Sequence, residues 1–495
     1  MKTNTAEPRD AAAIVLIRGD EICWARRSLK LNFLGGWHAF PGGKLEKSDA
    51  EARVENCPDA ELAALIGCAA RECFEETGVL IARGADKMTR GQRASLHDDL
   101  MSGRMTFAEI LMHWELRIDH DDFIFIGAWT TPPFSPVRFK TRFFLANCPP
   151  KQDPYPASSE LERVEFTEAK DALAKWTQGE ILCAPPILNT LRTFSKPKAQ
   201  SPKSKVEELL FLAETEGAHP RKIELNASIT LFPLKTWTLP PATHTNCFIV
   251  GRREFIVIDA ASPFPEEQNA LHLFIDSLVE ENNASCRAII VSHFHSDHTG
   301  GETALQKHLL EKYNQTVPLA AHALTAEKLP NIKFDCFLED GETFYLLDAN
   351  AKAFALETLH TPGHARGHLS FYEPEIGFLL SSDNVIGAGS VLIAAPEGNM
   401  SDYLNTLERL KNLPNLRFLC GSHGAAIANA PEKIESYIRH RLEREQQILA
   451  SWNAGLKTTA EIVEQIYTDL KPELRQLAEK SVEAHLEKLQ FENKT

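Results

Sequence analysis

Two stretches of this chain concentrate side chains able to bind metal ions. The first is Val291-Ser292-His293-Phe294-His295-Ser296-Asp297-His298-Thr299-Gly300-Gly301, with three histidines and an aspartate inside six residues. Imidazole and carboxylate suit zinc and similar divalent ions. With 18 histidines in 495 residues, chance is a poor explanation for that density. His293 and His295 are two apart, so in extended backbone they would point to one side. The second stretch is Arg71-Glu72-Cys73-Phe74-Glu75-Glu76-Thr77-Gly78. On a helix, Glu72, Glu75 and Glu76 share one face, where like charges repel. A hard cation such as Mg²⁺ would reverse that repulsion, taking carboxylate oxygens and bridging substrate phosphates.

Further candidate ligands follow the histidine loop at separated positions. His360-Thr361-Pro362-Gly363-His364 comes after strand-like Phe354 to Leu359, Ser381-Ser382-Asp383 after Gly377 to Leu380, and Gly421-Ser422-His423 after Arg417 to Cys420. Each apolar run ends in a small turn bearing His or Asp, and α/β folds place their sites at the carboxyl ends of strands. The elements before the loop fit this pattern. Phe248 to Val250 and Phe255 to Asp259 read as paired strands, Asn269 to Glu280 as a helical crossover, and Ala288 to Val291 as a buried strand.

The glutamate stretch has its own setting. Ile14 to Ile17 and Glu21 to Arg26 read as a β-hairpin. Phe40-Pro41-Gly42-Gly43 marks a loop that lets backbone approach a ligand. Ala60 to Glu76 reads as an amphipathic helix stopped at Gly78, followed by a strand at Val79 to Ile81.

Length predicts two to four domains. Apolar content of 43% and charged content of 24% fit a globular protein. A net charge of −15 argues against holding nucleic acid by bulk electrostatics. No apolar run approaches the ~20 residues needed to span a bilayer, and Ala11 to Ile17 reads as a first strand, not a signal peptide. Ten cysteines without a C-x-x-C pair predict reduced thiols and a cytoplasmic setting. The Lys/Pro/Ser-rich run Lys196 to Lys205 reads as a tether.

The first half resembles the Nudix hydrolase box, from Gly43 to the R-E-x-x-E-E-x-G of Arg71 to Gly78. Two departures stand out: an insertion at roughly Glu51 to Leu65, and Asp49 where that family usually carries glutamate. Arg27-Ser28 and Trp129 to Pro133 are similar to the coenzyme A diphosphatase-like subgroup. The resemblance implies Mg or Mn on the catalytic Glu72, Glu75 and Glu76, with Gly42, Gly43 and Arg71 on the substrate side. Arg71 would chiefly orient the glutamates, and a later acidic helper would be Glu160 or Glu162. The substrate would be a nucleoside- or CoA-type diphosphate.

The second half resembles the metallo-β-lactamase fold, with its H-x-H-x-D-H loop. That implies one zinc (or similar ion) on His293, His295 and His364 and a second on Asp297, His298 and His423, bridged by Asp383. Asp259 would stand behind the ligands, Asp297 would also serve catalysis, and a hydroxide shared by the ions would be the nucleophile. His360 and His368 would be structural or substrate-facing. The helical end, from Tyr437 to Leu449 and on to Leu489, is similar to the winged-helix tail of the β-lactamase-like endoribonuclease subgroup.

The expected fold is therefore α/β and multi-domain: a Nudix α/β/α sandwich (8–194), a linker (195–206), a metallo-β-lactamase αββα sandwich (207–430) and a winged-helix-like helical cap (431–495). The expected activity is that of a two-domain metal-dependent hydrolase. By closest resemblance the second half cuts an RNA phosphodiester, making single-stranded RNA a candidate partner; a glutathione or acyl-CoA thioester is the alternative. A second alternative makes the Nudix half a non-catalytic ligand sensor. Oligomers are open, and no membrane partner is expected.

Overall fold

The computed structural model describes residues 6–31, 33–196, 202–387, 389–468 and 470–494. The chain divides into two compact units between Asn226 and Ala227.

In the first unit, strand Arg9–Arg18 is central. It runs parallel to Phe139–Asn147, with Ile14 opposite Phe144, and antiparallel to Glu21–Arg27 and to Gly42–Lys44. Leu161–Glu168 extends the sheet beyond Glu21–Arg27, and Ile124–Thr130 beyond Phe139–Asn147. Helix Ala60–Thr77 covers one face. It starts because the Asp59 side chain accepts the Leu62 N–H, and it stops at Gly78, whose φ of 69° is a left-handed conformation that favours glycine. Its Ile66, Ala69, Ala70, Cys73 and Phe74 bury against Ile14, Leu16 and Phe144. Side chains alternate across a strand, so Phe143 faces the opposite side. There it meets Pro186, Thr190, Leu209 and Leu212, from helices Pro185–Ser195 and Pro202–Glu216. The layers are α/β/α.

Two expectations for this unit change. Val79 to Ile81 is buried but outside any strand, because no neighbouring strand reaches it. The Gln152 side chain substitutes for a ladder partner, accepting from Leu80 N at 2.9 Å and donating to Leu80 O at 3.1 Å. The tether placed at 195–206, with the second domain from 207, is built differently. Residues 197–201 lie outside the described residues, and 202–216 is a helix packed on strand Ile124–Thr130. Gly127 permits the contact: a Cβ there would stand 2.3 Å from the Ala213 methyl. Helix Pro202–Glu216 therefore belongs to the first unit.

The second unit is built on two half-sheets. One comprises Ile229–Lys235, His244–Gly251, Glu254–Ile258, Ser285–Ile290, Leu319–Ala321 and Cys336–Phe337. The other comprises Thr343–Leu347, Ala353–His360, Leu369–Glu373, Phe378–Ser382 and Phe418–Gly421. The pair Glu254↔Leu347 joins them. Helix Pro265–Asn282 packs on the first, with Leu271, Ile275 and Leu278 against Phe232, Phe255 and Val257. Helices Met400–Lys411 and Ala430–Asn453 pack on the second through Leu407, Ile434 and Ile438. Beyond Asn453 the described residues are helical, Thr459–Ile466 and Arg475–Phe491, closed by Ile462, Val463, Val482 and Leu489. All ten cysteines are free, and no described helix is long and apolar enough to cross a membrane.

Candidate metal centres

Five strand ends of the second unit converge. Glu254–Ile258 delivers Asp259, Ser285–Ile290 the histidine loop, Ala353–His360 the turn of His364, Phe378–Ser382 Asp383, and Phe418–Gly421 His423. The loop itself is a series of bends, not the extended backbone expected, yet its rings still meet: His293 and His295 have centroids 4.7 Å apart. Gly301 lets the loop turn beneath Ala260, whose carbonyl oxygen would lie 2.4 Å from a Cβ there.

Three groups of ligand atoms form. His293 Nε2, His295 Nδ1 and His364 Nε2 converge, with separations of 3.0 and 2.9 Å to His295. Asp297, His298 and His423 form another, His423 Nε2 lying 3.6 Å from Asp297 Oδ2. Asp383 stands between: Oδ1 is 3.6 Å from His298 Nε2 and from His423 Nε2, while Oδ2 is 3.6 Å from His364 Nε2.

The donor set fits a pair of zinc-like ions. His298 Nε2 and Asp383 Oδ1 are fully buried without a hydrogen-bond partner, a costly state that a cation between them would relieve. Charge tells the same story. Burial opposes a proton on His298, but Asp259 and Asp383 outweigh it and raise its pKa. His423 is raised in the same way by Asp383, despite its burial. His295 is pushed down to about 3 by burial and by His364, and burial also depresses His293 and His364. The first trio is thus a set of neutral imidazoles offering lone pairs, and the second has carboxylates calling for positive charge.

Groups behind the ligands fix their rings. Asp259 Oδ2 meets His298 Nδ1 at 2.8 Å, and Asp259 Oδ1 accepts from Ser292 N. His423 Nδ1 donates to the His244 carbonyl at 2.9 Å and His364 Nδ1 to the Leu392 carbonyl at 2.8 Å, which leaves each Nε2 as the lone pair. His368, fully buried, accepts the Asp383 N–H at Nε2 and so fixes the backbone that carries the Asp383 carboxylate. Its role, with that of Ser292, was not legible from its spacing. His360 instead donates to the Arg366 carbonyl and stacks on His322.

The first unit brings its glutamates together differently. Arg71 is 6% exposed. Its Nη1 donates to Glu72 and Glu75 at 2.9 and 3.1 Å, and its Nε and Nη2 clasp Asp49 at 2.6 and 3.0 Å. The inserted segment leaves this clasp intact, and the shorter Asp49 still reaches Arg71 from the turn Lys47–Glu51. Arg71 is therefore enclosed by carboxylates, as the expected orienting role requires. Glu76 accepts the Gly42 N–H at 3.0 Å, and at Gly43 a Cβ would lie 2.4 Å from Glu72 Oε1. That cradle fits a hard cation, although the three carboxylates do not converge as tightly as the histidines do. Glu72 and Glu75 instead meet Arg71, and Glu76 meets Gly42. Of the two later acidic candidates, Glu160 adds only a minor repulsion to the raising of Glu76, whereas Glu162 accepts from Leu29 N.

Burial pushes Glu72 up to about 7, against the pull of Arg71, and pushes Glu76 up to about 8 with help from Glu72. Both values exceed those of an unfolded chain, so the metal-free unit should lose stability as pH rises through this window. A divalent cation such as Mg²⁺ bound here would have to displace the protons. Its affinity should rise between about pH 6 and pH 8, with proton release near neutrality. Calorimetry in two buffers of different ionisation enthalpy checks this; a pH-independent affinity would contradict it.

Both units resemble known proteins. Residues 7–98 match the NUDIX domain, 240–423 the metallo-beta-lactamase superfamily and 458–495 the beta-lactamase associated winged helix domain. A beta-lactamase-like protein 2 homolog of Caenorhabditis elegans is 26% identical over 50% of this chain and 78% of its own length. An atrochrysone carboxyl ACP thioesterase of Aspergillus chevalieri is 29% identical over 45% of this chain and 68% of its own. A solved NUDIX hydrolase from Alicyclobacillus acidocaldarius is 31% identical, covering 38% of this chain and 91% of its own, with a TM-score of 0.33. The chain carries a Nudix domain, a metallo-β-lactamase-fold domain and a winged-helix tail. Both main domains come from hydrolase families, and the protein is a two-domain hydrolase.

Proposed function

We propose that the first domain hydrolyses a nucleotide- or CoA-type diphosphate with Mg or Mn, and that the second hydrolyses a thioester at a pair of zinc ions. The observation that carries the second half is the buried His/Asp cluster with its orphaned His298 Nε2 and Asp383 Oδ1. Bound there, the ions would acidify a water and polarise the carbonyl under attack. Asp297, whose Oδ2 is 3.6 Å from His423 Nε2, would accept the water's proton. In the first domain Glu72, Glu75 and Glu76 would hold the cation, with Arg71 fixing two of them. Glu160 would add a carboxylate from the later loop.

The thioester reading, weighed against RNA cleavage, is favoured by the loop between strands Ile229–Lys235 and His244–Gly251. Thr238 Oγ1 lies 3.5 Å from His423 Nε2. Its neighbours Trp237 and Leu239 are 71% and 53% exposed, an apolar lip suited to an acyl chain. Acidic side chains also outnumber basic ones from Pro431 to Thr495, an unfavourable balance for gripping phosphates. The similarity to a named thioesterase points the same way. RNA cleavage stands as a second reading because of the winged-helix match.

Assaying the full chain with CoA, NADH, an acyl-CoA, lactoylglutathione and a short single-stranded RNA decides between them. Thioester turnover with zinc and diphosphate cleavage with Mg are expected; RNA cleavage without thioester turnover would overturn the second assignment. Trp237→Ala should raise KM for an acyl thioester about tenfold, as loss of ~1.4 kcal/mol of apolar contact predicts, with kcat retained. An unchanged KM would remove the lip from the substrate path.

A further inference from the structure

Helix Ala430–Asn453 reaches the metal centre through one segment of backbone. Residues Val391 to Ile393 lie outside any strand, and Val391 and Ile393 are buried among Tyr403, Ile434 and Ile438. Two successive carbonyls of this segment serve different partners. The Leu392 carbonyl accepts His364 Nδ1 at 2.8 Å. The Val391 carbonyl accepts a short hydrogen bond from Arg441 Nη2. Arg441 is 5% exposed, and its guanidinium also lies over the Tyr403 ring, 5.5 Å from the centroid. Two further bonds secure the backbone that follows Asp383: Tyr403 donates to the Asn384 carbonyl at 2.7 Å, and Tyr437 donates to the Ile386 carbonyl at 3.2 Å. One turn further along, Glu445 pairs with Lys488 at 2.8 Å and ties this helix to Arg475–Phe491.

We infer that Arg441 is a positioning residue for the His293–His295–His364 ion: by holding the Val391 carbonyl it sets the Leu392 carbonyl on which the His364 ring is oriented. A charged donor to a buried carbonyl makes a strong bond. Loss of it would let the segment shift, and His364 Nε2 would lose its aim at His295 Nδ1. The tail helix is thereby part of the metal centre. This inference rests on the two-ion reading of that centre.

The test strips the full-length protein of metal and titrates it with Co²⁺, following the visible d–d bands and the number of ions bound. The intense d–d bands of the histidine-ligated centre in the wild-type protein should saturate at two ions, apart from the weak bands of an all-oxygen site on Glu72, Glu75 and Glu76, and His364→Ala should weaken the first; if neither happens, the two-ion reading itself fails. Given that baseline, Arg441→Met should weaken the ion on His293, His295 and His364 by about 10- to 100-fold and alter its bands. Arg441→Lys should recover part of the loss, and kcat should fall more than KM rises. A merely structural role would lower the melting temperature and leave the Co²⁺ bands unchanged, which would overturn the inference. Should Arg441→Met not fold, Arg441→Gln, which keeps polarity but loses the charged donor to the Val391 carbonyl, decides: several-fold weaker binding of the same ion is expected, and unchanged binding overturns the inference.

Discussion

His295→Ala is expected to abolish hydrolysis by the second domain, with kcat/KM falling roughly a thousandfold or more, while cleavage of a diphosphate by the first domain continues. The reason is geometric. His295 Nδ1 is the atom both other rings of the trio approach, at 3.0 Å for His293 and 2.9 Å for His364. Its removal leaves two donors where three converge, too few to hold an ion that prefers four ligands with one position open. The substitution takes away a half-buried ring beside Phe294, so the fold should persist. Bound zinc, measured by elemental analysis, should fall together with activity. Thioester and RNA turnover both surviving His295→Ala would mean that the reactive centre lies elsewhere.

Glu75→Gln should remove Mg-dependent diphosphate cleavage by roughly a hundredfold or more while leaving the second domain's activity intact. Glutamine keeps the shape and can still accept the Arg71 Nη1 bond, so the Arg71–Asp49 clasp is preserved. What it lacks is the negative charge. Burial raises the pKa of Glu75, as it does for Glu72 and Glu76, and all three gain when a cation replaces a proton. Diphosphate turnover unchanged in Glu75→Gln would instead favour the first domain as a ligand-sensing module.

The His and Asp side chains that converge were legible in the sequence as candidates because each sits in a short turn after an apolar run. Such turns keep their residues near strand ends whatever the tertiary detail. His293 to His298, His364, Asp383 and His423 could be placed on that basis, and so could the helix ending at Gly78. The groups that aim these ligands were not legible. His368, Ser292 and Arg441 are ordinary residue types, and only tertiary contact gives them a role. The boundary between the units was hidden for a similar reason. Lys196 to Lys205 has the composition of a tether, but the close approach of Gly127 and Ala213 draws helix Pro202–Glu216 onto the first unit. Val79 to Ile81 had the pattern of a strand, and a Gln152 side chain took the place of its neighbour.

A paired-ion centre at the strand ends of the second unit is what we propose for this chain. Anomalous scattering from crystals of the zinc-loaded protein, recorded on both sides of the zinc absorption edge, tests it most directly. Two peaks are predicted, one among His293, His295 and His364 and one among Asp297, His298 and His423, with Asp383 between them. Crystals grown with zinc that show no peak at these residues would contradict the account.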